Sequence, residues 1–298
     1  MRLLSDFDGV WTDPLREGVA QGTLLEKTVR EWAAADGRAG VDAWFAAAQR
    51  EAAEAPTRYG WLSDGRLSAF ADEDPFVLHS ALLHVLHSRV GMDALADWYV
   101  ARVRQAGHDG LDVFGGVMHY AAVAQVEAER GPAILSDAVA AGQRMLATGV
   151  DIVVVSNSVS AKLERWFGAA GMRYTLDPER ASGALRLRGG ARKFVLDGAS
   201  QRLRLGGLDF EVGRPHYRAV FDAERPDAVV GDVFSLDLAL PLWLRRHVSG
   251  FERLRLFWLK RSYTPRWLLD VVAAEAPEVE LLDDGLGGVA ERLLTAPR

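Results

Sequence analysis

The chain has 298 residues, of which 49% are hydrophobic and 26% charged, with a formal net charge of −6 and no cysteine. That length supports one large or two ordinary globular domains with a sizeable core. The missing Cys excludes disulfides and thiolate metal sites, and the acidic balance disfavours a general nucleic-acid-binding surface. The first carboxylate arrives at Asp6 with no basic-then-apolar leader before it, and no apolar run is long enough to cross a bilayer. The expectation is a cytoplasmic protein with no nucleic-acid or membrane partner; its oligomeric state stays open.

Leu3 to Asp6 reads as a short strand running into Asp6-Phe7-Asp8-Gly9-Val10-Trp11-Thr12-Asp13. Two carboxylates one residue apart repel unless a cation lies between them or one holds a proton. Metal-assisted phosphoryl chemistry uses both conditions. From about residue 20 to 130 the apolar period is helical, as in Leu25, Val29 and Trp32, or Val41, Trp44, Phe45 and Ala48. Asp74-Pro75 predicts a helix N-cap with Pro at the first helical position, opening a helix through His87. This block, residues 14–134, reads as an all-helical insertion. Within it Arg58, Tyr59, Trp61, His79, His84 and His87 are binding candidates by residue type alone.

Residues 137–148 predict a helix ending at Gly149, followed by the β-branched run Asp151 to Val155. A continuous apolar run suits a parallel strand buried on both faces. It stops at Ser156-Asn157-Ser158, and a helix follows through Phe167. Residues 183–213 alternate apolar and charged side chains between glycine pairs, which predicts a β-ribbon. Arg214-Pro215 opens another helix. Residues 228–232 form a short apolar strand ending in Asp232, with Asp237 five residues on, and residues 254–259 form a third such strand. Alternating strands and helices predict a Rossmann-like, doubly wound parallel α/β sheet from residues 1–13 and 135–298. Its ligands should bind beyond the carboxyl ends of the strands.

The polar clusters at those ends resemble, in order, the four motifs of the haloacid dehalogenase (HAD) superfamily. They are Asp6-Phe7-Asp8-Gly9-Val10-Trp11-Thr12-Asp13, then Val153-Val154-Val155-Ser156-Asn157, then a cation beside Pro, then Gly231-Asp232-Val233-Phe234-Ser235-Leu236-Asp237. The helical block lies where the family carries a helical cap. The resemblance implies that Asp6 is the nucleophile and Asp8 the general acid and base. It implies phosphate binding by Ser156 and Asn157, and Mg²⁺ held by Asp6, Asp8 through its main-chain carbonyl, Asp232 and Asp237. The family usually shows Lys as the cation, and this chain has only Lys27, Lys162, Lys193 and Lys260. Arg214, eighteen residues before Asp232, is the first choice here, with Lys193 behind it and Lys162 considered. Trp11 lies where the family has a turn facing the cap, so it is either a substrate contact or core. The second carboxylate, Asp8, separates phosphoryl transfer from dehalogenation. The function implied is a Mg²⁺-dependent phosphatase acting on a small phosphorylated metabolite. A phosphomutase of the same superfamily and a catalytically degenerate HAD-fold binding module are the alternatives.

Overall fold

The computed structural model describes residues 1–177, 183–198 and 201–295. The chain forms two compact units, Met1–Asp13 with Pro132–Arg298, and Pro14–Gly131. The first unit opens with β1 (Arg2–Ser5). The second supplies α1 (Leu15–Ala35), α2 (Val41–Glu54), β2 (Gly60–Ser63), β3 (Arg66–Phe70), α3 (Pro75–Ser88), α4 (Ala94–Gln105) and α5 (Leu111–Arg130). The first unit then resumes with α6 (Ser136–Ala147), β4 (Asp151–Val155), α7 (Ser160–Ala169), β5 (Tyr174–Thr175), β6 (Leu185–Arg188), β7 (Arg202–Leu205) and β8 (Leu208–Glu211). It closes with α8 (Pro215–Glu224), β9 (Ala228–Gly231), α9 (Ala239–His247), β10 (Arg255–Leu259), α10 (Arg266–Glu275), β11 (Val279–Leu282) and α11 (Gly285–Thr295). None of the helices among the described residues is long and apolar enough to cross a membrane.

Seven strands make one parallel sheet in the order β11-β10-β9-β1-β4-β6-β5. From β1 the strands run outward in chain order on one side, β9 to β11, and through β4 and β6 to an edge β5 on the other, which makes the sheet Rossmann-like and doubly wound. The winding reverses around β1, where such sheets bind ligands. Both sheet faces are buried. Leu3, Ile152, Val154 and Val230 pack with Met145 of α6, Phe167 of α7 and Val289 of α11. Their neighbours Leu4, Val153, Val155 and Val229 are equally buried on the other side. On that side the ring of Trp258 lies 5.5 Å from Phe234, and Phe234 lies 5.1 Å from Phe210. Two-sided burial explains why β4 reads as Ile-Val-Val-Val rather than as an alternating pattern.

Two sequence expectations change. Leu185–Arg188 does not belong to a ribbon; it pairs in parallel with β4, Leu187 opposite Val154. The alternating arginines suggest a solvated face, yet Arg186 is buried. Its guanidinium lies 2.9 Å from Asp151 and 2.6 Å from Glu224, so the charge is paired inside the protein. Residues 199 and 200 of that expectation lie outside the described residues; among the described ones, β7 and β8 form the ribbon, joined through Gly206 and Gly207, whose φ values of +57° and +77° suit a tight hairpin turn.

The second unit, expected to be wholly helical, also holds the antiparallel hairpin β2–β3. Its turn is Asp64-Gly65 with φ of 51° and 71°, the positive pair that Asp-Gly favours. Gly60 is required there, because a Cβ would sit 1.9 Å from the Ala69 carbonyl oxygen. The Asp74 cap is as the sequence predicts: its Oδ1 accepts from the Phe76 N–H at 2.7 Å, and Pro75 opens α3. This unit has its own aromatic core, in which Trp44, Tyr99 and Phe114 meet edge to face.

Candidate active site

Three neighbouring central strands, β1, β4 and β9, are each followed at once by a polar residue, Asp6, Ser156 and Asp232. After β1 the Asp6 N–H still donates to Val230 O at 2.9 Å, and the chain then turns, with Trp11 N–H reaching Phe7 O at 2.9 Å. Phe7, Val10 and Trp11 are fully buried in the core, which leaves Asp6 and Asp8 on the other side of the segment. Trp11 is therefore core and not a substrate contact: its indole N–H donates to Ser5 Oγ at 2.8 Å and its ring meets Phe167 edge to face.

Gly9 shapes this turn. Its φ is +75°, and a Cβ there would lie 2.1 Å from Asp232 Oδ2. Gly9→Ala is expected to lower stability by about 1–3 kcal/mol, combining left-handed strain with displacement of a carboxylate. Gly65→Ala has a similar φ of +71° but nothing within 4 Å, so it should cost less. Urea unfolding of both variants measures the difference, and equal midpoints would refute the close-approach argument.

Asp232 is held from two directions. Its main-chain oxygen accepts from the Trp258 indole N–H at 2.8 Å, and its Oδ2 accepts from the Tyr263 hydroxyl at 2.6 Å. A single π-helical turn, Phe234–Leu238, follows. Such turns are frequent at functional sites. This one brings Asp237 back toward the strand end, where a Cβ on Gly231 would lie 2.3 Å from its Cβ. Asp237 Oδ2 accepts from the Val233 N–H at 3.1 Å.

The cation that reaches these acids is Lys193. Its Nζ lies 2.5 Å from Asp6 Oδ1 and 2.5 Å from Asp237 Oδ1. Arg214, the first choice from sequence, sits beside Lys193 rather than in its place. Its buried guanidinium donates to main-chain oxygens, among them Glu211 O at 3.1 Å and Lys193 O at 2.5 Å. Arg214 thus holds the backbone that carries Lys193. Asn157 does so from the other side, its Oδ1 accepting from the Lys193 N–H at 2.7 Å. Ser156 Oγ accepts from the Ser158 N–H at 3.0 Å, closing the turn beyond β4.

Asp8 has a separate setting. Its Oδ2 accepts from the Ser158 hydroxyl at 3.1 Å, and its Oδ1 lies 3.4 Å from Lys162 Nζ. Lys162 is buried, with its ammonium 4.9 Å from the Trp166 ring centroid. Ser158 and Tyr263 carry no signal in sequence spacing. Lys162 appears there only as a cation six residues after Ser156.

The electrostatics follow from burial and crowding. Burial lifts the Asp6 carboxyl well above the usual carboxylate range. The charge of Asp237 adds to this, Lys193 opposes it, and Asp232 and Asp8 add again. Burial alone would pull Lys193 down, but the carboxylates of Asp237 and Asp6 more than offset it and hold the ammonium well above its ordinary value. Asp6, Asp232 and Asp237 each offer a carboxylate oxygen within 4.8 Å of the others. Three acids against one ammonium leave excess negative charge, and their hard oxygens suit Mg²⁺. Asp237 gives one oxygen to Lys193 and the other to the Val233 N–H. The residues fit a divalent cation held chiefly by Asp6 and Asp232.

In the second unit Tyr59 is buried and donates to Glu51, while His79 Nε2 pairs with Gly18 O at 2.7 Å. His84 packs edge to face on Tyr59.

No family model and no curated protein matches this sequence. Among solved structures the chain is similar to 2-haloacid dehalogenase from Pseudomonas syringae pv. Tomato DC3000, at 14% identity and TM-score 0.36, covering 98% of this chain and 97% of that one. It is similar too to the HAD-hydrolase YfnB from Bacillus subtilis, a structure bound to magnesium, at 13% identity and TM-score 0.35, with 87% of each chain covered.

Proposed function

We propose that this chain is a Mg²⁺-dependent phosphatase of the HAD type, hydrolysing a small phosphomonoester through an aspartyl-phosphate on Asp6. The observation that carries this reading is the different placing of two acids from one loop. Asp6 lies with Lys193 among the other carboxylates, whereas Asp8 is held apart by Ser158 and Lys162. A nucleophile and a proton carrier need such separate settings.

Asp6 attacks phosphorus, forming a carboxylate-oxygen-to-phosphorus bond as the bond to the ester oxygen breaks. Asp8 gives its proton to that leaving oxygen. A water then loses a proton to Asp8 and attacks phosphorus, and the bond to Asp6 breaks to release phosphate. Lys193 carries positive charge beside Asp6, and the Ser156 hydroxyl is a donor for a phosphoryl oxygen. Bound Mg²⁺ supplies the charge that offsets the carboxylates and the phosphoryl group. Asp6, Asp232 and the main-chain carbonyl at Asp8 would hold it, with Asp237 behind Lys193. We assign selection among small esters to the inserted Pro14–Gly131 unit.

The test is hydrolysis of an alkyl phosphate and of p-nitrophenyl phosphate over a Mg²⁺ titration, with a chelator control. Asp8→Asn should reduce alkyl phosphate turnover by about 10²–10⁴-fold, the usual worth of a positioned acid or base. The loss in the first step should be smaller for p-nitrophenyl phosphate, whose leaving group needs little protonation. Turnover indifferent to the chelator would refute the metal dependence. Failure to hydrolyse any phosphate ester would favour a binding module.

A further inference from the structure

The loop between β10 and α10 is set apart from the acids in sequence yet reaches two of the segments that make the site. It is a closed turn: the Thr264 N–H donates to Arg261 O at 3.0 Å, and Thr264 Oγ1 accepts from the Arg261 N–H at 2.8 Å. Lys260 N–H pairs with Leu282 O at 2.9 Å, fixing the start of the loop to β11. From this turn Arg261 Nε donates to the carbonyl of Gly9 at 2.5 Å, in the loop that carries Asp6 and Asp8. Tyr263 donates its hydroxyl to Asp232 Oδ2 at 2.6 Å.

We infer that Tyr263 is a positioning residue that sets the affinity of the acidic centre for a divalent cation, an inference that rests on the metal reading of the site. An aspartate carboxylate rotates about one bond, and a metal ligand must be fixed in orientation to bind well. Groups that hydrogen-bond ligating carboxylates supply this, and losing one typically lowers metal affinity 10–100-fold. Asp232 meets Tyr263 at one oxygen, and that same oxygen faces Gly9, where even a Cβ would lie 2.1 Å away. Its backbone is held by the Trp258 indole. The plane of the carboxylate is thus fixed. An ionised carboxylate has about four lone-pair positions. One accepts the tyrosine proton, and others remain to face a cation.

The experiment is a Mn²⁺ titration followed by electron paramagnetic resonance, with Mg²⁺ as competitor, on the full chain. Wild type, Tyr263→Phe and Asp232→Asn are compared, and unfolding midpoints are measured without metal. The expected result is one saturable site in wild type that Asp232→Asn removes. Tyr263→Phe should raise the Mn²⁺ dissociation constant by about 10-fold or more, beyond any fall in the metal-free midpoint from the lost hydrogen bond. An unchanged or smaller dissociation constant in Tyr263→Phe would overturn the role of Tyr263 while leaving the centre standing. A lower midpoint with unchanged metal binding would likewise overturn it, by making the contact purely structural. A wild type with no saturable site, or a site indifferent to Asp232→Asn, would overturn the metal reading and this inference together.

Discussion

Asp6→Asn should abolish turnover while leaving the chain folded, and in the absence of metal it should stabilise the chain at neutral pH. The substitution keeps the shape of the side chain and removes the attacking oxygen's charge. Loss of a nucleophile that works as a unit with its acid is a matter of about 10⁴–10⁶-fold in kcat. The stability effect follows from the surroundings. Burial and the charges of Asp237, Asp232 and Asp8 hold the Asp6 carboxyl above its unfolded value. The folded chain therefore binds that proton more readily than the unfolded chain does. The stability this confers is present below the unfolded value and is lost as pH rises through the raised one. Asp6→Asn lacks that loss. Urea unfolding of both proteins in chelator, from acid to neutral pH, should show the wild type falling relative to the variant. Parallel curves would show that the acids around Asp6 do not crowd it, and equal turnover would refute its role.

Lys193→Met should be the most damaging single change in the site for stability, and it should lower activity as well. Its ammonium is the buried partner of both Asp6 and Asp237. Removing one member of a buried ion pair leaves the other charge uncompensated, at a cost of about 3–5 kcal/mol. The double variant Lys193→Met with Asp237→Asn should recover a good part of that loss, because the stranded charge goes with its partner. Its activity should stay low, because no cation then stands beside Asp6. Arg214→Met offers a contrast. It should destabilise through the main-chain oxygens it leaves without its guanidinium, and lower activity by loosening the Lys193 backbone. Chemical unfolding of the four proteins, with phosphatase assays beside them, decides the assignment. A Lys193→Met protein as stable and as active as wild type would return the cation role to another residue.

The sequence by itself determined the framework. The strands at residues 2–5, 151–155, 228–231 and 255–259 are legible because a strand buried on both faces must be apolar throughout. The acids that follow two of them, Asp6 and Asp232, are legible because a charged residue ending such a run has a restricted choice of place. The Asp74 cap was equally plain, since Pro at the first helical position and an acceptor before it serve the same helix end. The Asp64-Gly65 hairpin had a local signal too, but its two short strands lie among longer helical patterns.

Tertiary structure decided which cation faces Asp6. Lys193 stands 39 residues before Asp232 with the β7–β8 ribbon between, while Arg214 has the simpler spacing. Spacing along the chain measures connection and not reach, so nothing in the sequence shows that one guanidinium ends on backbone oxygens. The same holds for Arg186, whose alternating pattern looks exposed until Asp151 and Glu224 are folded beside it. Ser158, Lys162 and Tyr263 belong to this class as well. Each acts through a contact with Asp8 or Asp232 across 31 to 154 positions of chain, and only the parallel sheet, by bringing several strand ends to one edge, turns those separations into hydrogen-bonding distances.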